Sequence, residues 1–144
     1  MNVDEVGRTA VTIASVLWRD LVPTSTGGEL DRQGVDAIQG SCRVQVKGDQ
    51  RIRTSQNIYH EIWEKTLGQP TQPWRRSPGL ADVYIFVTTE FALRVTVDAL
   101  AIAEKGRPLT QISATSMGFL IPISGVSCER RNHAYALDGT LRLF

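Results

Sequence analysis

Five consecutive apolar residues, Val83-Tyr84-Ile85-Phe86-Val87, leave a strand no polar face to turn toward water. Their β-branched and aromatic side chains favour extended backbone. A strand that is apolar on both sides must be covered on both sides, the pattern of a central strand packed between helices. The run is far shorter than the roughly 18 to 20 apolar residues of a membrane helix, and so is Phe119 to Ile123.

The rest of the chain is read around that strand. Val3, Val6, Ala10, Ile13, Ala14, Leu17 and Leu21 recur at three-or-four spacing, which predicts a helix from about Asn2 to Leu21 with Glu5, Arg8, Thr12 and Arg19 on its outer face. The turn-rich stretch from Pro23 to Gly28 ends it. Glu29 to Gln33 reads as a short strand or loop. Val35 to Gln39 and Cys42 to Lys47 are β-prone runs joined at Gly40-Ser41, a hairpin signal. Thr54 or Ser55 caps an expected second helix with Ile58, Ile62 and Leu67 on its buried side and Gly68 as its stop. Gln69 to Gly79 holds three prolines and reads as a loop.

Beyond the central strand, Leu93, Val97, Leu100 and Ala101 keep helical spacing up to Glu104, against the β-branched patch Val95-Thr96-Val97. Gly118 to Ile123 is an expected strand that Pro122 pushes toward an edge. Ala134 to Phe144 reads as a hairpin turning at Asp138-Gly139. The expected fold is α/β, a mixed central sheet flanked by helices, in the order α-β-β-β-α-β-α-β-β.

Length and composition bound the function. With 144 residues, 42% hydrophobic and 22% charged, the chain is expected to form a single domain over 1–144. Its net charge of +1 gives no global attraction to nucleic acid, membrane or acidic partners, so any such case is local. Cys42 and Cys128 build no disulfide framework and have no zinc-ligand spacing, and only His60 and His133 are present for a histidine-dependent hydrolase or zinc site. The acidic opening, with Asp4 and Glu5, is unlike a secretory leader, so a cytoplasmic location and no membrane partner are expected.

One constellation carries chemistry. Side chains alternate along a strand, so Gln45 and Lys47 project from the face opposite Val44 and Val46. Across the hairpin, Asp36 can approach both. A carboxylate, an amide oxygen and an ammonium then converge, a set suited to holding a hard cation and acting on a phosphodiester.

The element order and these residues resemble the PD-(D/E)xK nuclease superfamily, restriction-endonuclease-like in fold, and especially its Mrr-like members, which carry Q-x-K. The approach Asp31-Arg32-Gln33-Gly34-Val35-Asp36 is similar too. The resemblance spans about Asn2 to Val87. It implies Asp36 as the metal-binding aspartate, Gln45 as the second ligand position, the main-chain carbonyl of Val46 as a further ligand, and Lys47 as the catalytic lysine. Mg²⁺ or Mn²⁺ would be the cofactor and DNA the substrate. Many relatives add a glutamate from the opening helix; here Glu5 and Glu29 are the stand-ins. Gln45 is neutral, so the set offers one clear negative charge.

Arg43, Arg51 and Arg53 form a local basic stretch suited to phosphates. Gln56 and Tyr59, at the start of the expected second helix, stand where many of these nucleases contact substrate. A chain of this size has little room for a separate recognition module, which favours a homodimer or a partner subunit. The rival expectations are a degenerate module of the same fold that binds nucleic acid or a protein without cleaving, and an unrelated α/β interaction domain.

Overall fold

The amphipathic opening folds as α1 (Val3–Leu17), ending short of Leu21 because the chain turns after Trp18 and Leu21 starts a strand, β1 (Leu21–Pro23). The structure, a computed structural model, describes residues 3–25, 27–65, 74–77 and 79–135. Ala10, Ile13 and Ala14 are at most 1% exposed, so the periodic stripe is the packed face of the helix. Glu29–Arg32 is one turn of helix, α2, rather than strand or loop, and the expected run of three strands after the opening helix takes β1 as its first member instead.

The hairpin forms where Gly40-Ser41 marks it. β2 (Ala37–Gln39) and β3 (Cys42–Gly48) pair antiparallel with Ala37 opposite Val44 and Gln39 opposite Cys42, and Gly40 turns the chain at φ 61°, a left-handed conformation that glycine adopts without cost. After one helical turn, α3 (Arg51–Ser55), Gln56 also enters the left-handed region, φ 58°, and the chain extends into β4 (Asn57–Glu64). The second helix expected from Thr54 is therefore a strand. Ile58 and Ile62 stand four apart, but Ile58-Tyr59-His60-Glu61-Ile62-Trp63 is rich in β-branched and aromatic residues, and long-range pairing decides in favour of the sheet. Part of the expected loop also pairs, as β5 (Arg75–Arg76).

The apolar run is β6 (Val83–Val87), every residue of it buried. It lies parallel to β3, with Gln45 beside Tyr84 and Lys47 beside Phe86. The helix expected from Leu93 begins later. Phe91–Thr96 is β7, antiparallel to β6, and α4 (Val97–Glu104) starts where the Thr96 hydroxyl accepts the Ala99 N–H at 3.1 Å, so the β-branched patch marks the end of a strand. β8 (Thr110–Ser113), β9 (Ser116–Pro122), a 3₁₀ turn (Ile123–Gly125) and β10 (Glu129–Asn132) complete the described elements.

The strands form a mixed six-stranded sheet, β1-β2-β3-β6-β7-β10, and a second sheet, β5-β4-β9-β8. β9 is interior to the second sheet; Pro122 is its last residue, opposite Asn57, where a missing N–H ends the ladder without forcing the strand to an edge. The hairpin expected at Asp138-Gly139 lies outside the described residues.

Alternation along β6 splits the core in two. Val83, Ile85 and Val87 pack with Val44, Val46 and α1; Tyr84 and Phe86 pack on the other face with Ile58, Ile121 and Leu100. The central strand is thus covered on both faces, by a helix on one side and by a second sheet with α4 on the other. Each fully buried aliphatic or aromatic side chain contributes roughly 1.5 to 3 kcal/mol. Cys42 and Cys128 are half-buried free thiols at the margins of these two clusters.

Candidate functional site

Gly34, at φ 80°, turns the chain out of α2 so that Val35 is buried and Asp36 follows at the mouth of the hairpin. The register places Ala37 opposite Val44, so one step beyond it Asp36 falls opposite Gln45. The Asp36 N–H donates to the Val44 carbonyl at 2.8 Å, and Asp36 Oδ2 accepts the Val46 N–H at 2.8 Å. The carboxylate thus stands in for the next residue of the ladder. Burial pushes its pKa up, opposed by the Val46 hydrogen bond and by the charge of Lys47.

Odd and even residues of β3 point their backbone groups to opposite edges. The Arg43 carbonyl and the Asp49 N–H face the β6 side, bonded to Asp82 and Val87. The Val44 carbonyl and the Val46 N–H face the β2 side. The Val46 carbonyl shares the edge of its own N–H, past the last β2 residue paired in register. It lies on the Asp36 edge with no strand partner there among the described residues.

Gln45 and Lys47 project from the face opposite Val44 and Val46, beside Tyr84 and Phe86, into a cleft of about 20 Å³ also lined by Tyr59, Glu61 and Ser77. That volume suits about one water or a small ion. Among the described residues Lys47 has no carboxylate within salt-bridge distance.

The donors fit a hard divalent cation in kind: a carboxylate whose Oδ1 is unengaged among the described residues, an amide oxygen and a main-chain carbonyl, all at neighbouring positions of one hairpin. In charge they are sparse, and no group of three His, Cys, Asp or Glu side chains surrounds a common point among the described residues. Glu29 is exposed on α2, with the Gln33 amide as its partner at 3.5 Å. Glu5 belongs to α1, and its side chain lies outside what the structure describes.

Each arginine of the basic stretch has an acid beside it. Arg43 chelates Asp82 at 3.2 and 3.3 Å; Arg51 holds Asp49 at 2.7 Å and stacks 4.2 Å from the centre of the Tyr59 ring; Arg53 meets Glu90 at 3.1 Å. Their exposed guanidinium groups can still meet a phosphate, but the net local charge is small. Gln56 and Tyr59 do not share a helix face. Gln56 caps α3, its amide donating to the Arg53 carbonyl at 2.8 Å, while Tyr59 reaches the cleft from β4.

Sequence reasoning missed Glu61, His60 and Glu104. The Glu61 carboxylate accepts the Ser77 hydroxyl at 2.8 Å and the Ser116 hydroxyl. His60 Nδ1 pairs with Glu104 on α4, and its ring stands edge-on to Tyr84 with centroids 5.0 Å apart. Burial, with Glu104 and Glu61 nearby, pushes the Tyr84 hydroxyl pKa up. Extended backbone over 57–64 was the signal for these residues, and a helical reading of Ile58 and Ile62 hid it.

The fold and site define an α/β protein whose oxygen donors and one lysine gather where a hairpin meets a parallel neighbour. No family model, curated protein or solved structure matches this chain. Among the described residues no helix is long and apolar enough to cross a membrane.

Proposed function

We propose that the chain is a metal-dependent DNA endonuclease of the PD-(D/E)xK kind. The observation that carries this reading is the β2–β3 register, which sets Asp36 opposite Gln45 with the Val46 carbonyl turned to the Asp36 edge, while Gln45 and Lys47 line a cleft of which Asp36 is not itself a lining residue. The order of parts supports it: a helix, three antiparallel strands, and β6 parallel to the third of them with α1 packed across the pair. It departs from the restriction-endonuclease-like pattern between β3 and β6, where strands of a second sheet stand in place of a long helix.

Asp36, Gln45 and the Val46 carbonyl would hold Mg²⁺ or Mn²⁺. Such an ion, when bound, polarises a phosphate and lowers the pKa of a water. Lys47, on the same face, orients the attacking water and offsets charge that grows on the phosphate oxygens. Arg51 and Arg53, exposed at α3 just past β3, hold flanking phosphates by exchanging their carboxylate partners for the backbone of the nucleic acid.

A second reading has its own support in the neutral Gln45 and the paired arginines: the same fold gripping nucleic acid without cutting. Incubating the protein with supercoiled, linear and single-stranded DNA in Mg²⁺, Mn²⁺ or EDTA separates the two. Cleavage that needs the metal, Asp36 and Lys47 supports the nuclease. Salt-sensitive binding with no cleavage of any substrate supports the binding module.

A further inference from the structure

We propose that Glu61 is the second carboxylate of the cation site, supplied across the cleft from β4 rather than by the Q-x-K strand or the opening helix. The inference rests on the reading of Asp36, Gln45 and Lys47 given above.

Charge is the first argument. Asp36 and Lys47 cancel, Gln45 is neutral, and a dication would face a single phosphodiester charge with no further anion to balance it. Glu61 brings that complex to neutrality. It lines the same water-sized cleft as Gln45 and Lys47, so its charge faces theirs.

Its orientation is the second. The Ser77 hydroxyl, just after β5, donates to Oε1 at 2.8 Å, and the Ser116 hydroxyl, at the start of β9, donates to Oε2. Two hydroxyls from separate segments fix the carboxyl plane, while each oxygen keeps a lone pair for another partner. A carboxylate on a plain ion pair would instead have a base beside it. Asp49, Asp82, Glu90 and Glu104 each do; among the described residues Asp36 and Glu61 have none within salt-bridge distance. Asp31 is also half-buried without a basic partner, but it accepts the Gly27 N–H and does not line the cleft, whereas Glu61 does.

The test is Mn²⁺ binding to the whole chain, by calorimetry and by the paramagnetic resonance of the unbound ion, with no DNA present. Glu61→Gln is expected to weaken Mn²⁺ about tenfold or more, as Asp36→Asn does, because removing a charged ligand lowers affinity for a hard cation. Ser77→Ala, which only loosens the carboxylate, is expected to weaken it by a smaller factor, up to about tenfold. Circular dichroism and melting in EDTA report whether each variant keeps its fold. If Glu61→Gln folds and binds Mn²⁺ like wild type while Asp36→Asn does not, the inference is overturned and the nuclease reading stands. If Glu61→Gln does not fold, unchanged affinity in Ser77→Ala overturns it. If wild type binds no Mn²⁺, the cation site itself is wrong and both readings fall.

Discussion

The Asp36 carboxylate accepts the Val46 N–H at 2.8 Å, completing with a side chain the ladder that its own backbone begins at Val44. One residue thus closes the hairpin and presents its other oxygen at the edge where the Val46 carbonyl points. Structural and chemical duties fall on the same group, and substitution separates them.

Asp36→Asn keeps an acceptor for Val46 but removes the charge. Burial raises the folded-state pKa of Asp36 above its unfolded value, so the native state holds the proton more readily, and the ionised group costs stability as pH rises through that raised pKa. Asp36→Asn is therefore expected to melt higher than wild type at neutral pH, with the difference shrinking as pH falls through the raised pKa. Its cleavage should drop about a hundredfold or more. A variant that melts lower than wild type at neutral pH would show that the charge is stabilising.

Lys47→Met keeps the aliphatic stem beside Phe86 and removes the ammonium. Cleavage is expected to fall on the order of a hundredfold or more, while DNA affinity in EDTA changes by less than about tenfold, since one phosphate contact among several is lost. Equal losses in both would make Lys47 a binding residue only.

Gly118 lies opposite Glu61 in the β4–β9 pair, and a Cβ there would come within 1.9 Å of the His60 carbonyl oxygen. Gly118→Ala is expected to cost about 2 to 4 kcal/mol in urea unfolding, a size reserved for named defects of packing or backbone. A helix over 57–64 would have no such contact, so a neutral substitution would reject β4.

His133 accepts the Tyr135 N–H through Nδ1 at 3.0 Å and donates from Nε2 to the Thr88 carbonyl at 2.8 Å, a pattern only the neutral ring can satisfy. Burial lowers its pKa below the ordinary histidine value. The unfolded chain therefore takes up the proton first. Stability present above the unfolded value, about 6.5, is lost as pH falls through the depressed folded value. His133→Gln should flatten that part of the stability profile, and an unchanged slope between pH 7 and 5 would rule the residue out as its source.

The sequence made some of these elements legible for local reasons. Gly40-Ser41 between two alternating runs could only be a tight turn, and the same alternation put Gln45 and Lys47 on one face before any partner was known. Val83 to Val87 carried its burial in its composition. The stretch from Ile58 to Glu64 did not, because four-residue spacing fits either structure and its partner, β9, lies some sixty residues on. Leu93 to Val95 failed similarly: helical spacing overrode a β-branched patch whose partners are in β6 and β10. Glu61 was hidden by that first error, since its place in the cleft depends on β4 being a strand.

The two sheets take turns along the chain: β4 and β5 come between β3 and β6, and β8 and β9 between β7 and β10. During synthesis Asp36, Gln45 and Lys47 leave the ribosome early, yet the hydroxyl of Ser116 that steadies Glu61 emerges some seventy residues after Lys47. The hairpin can close long before the wall opposite it exists. A nascent chain therefore carries its lysine and aspartate without a finished cleft until β9 arrives, and a protein cut before Ser116 would keep the residues of the hairpin and of β4 but lose the strand that β4 pairs with and one of the hydroxyls on Glu61.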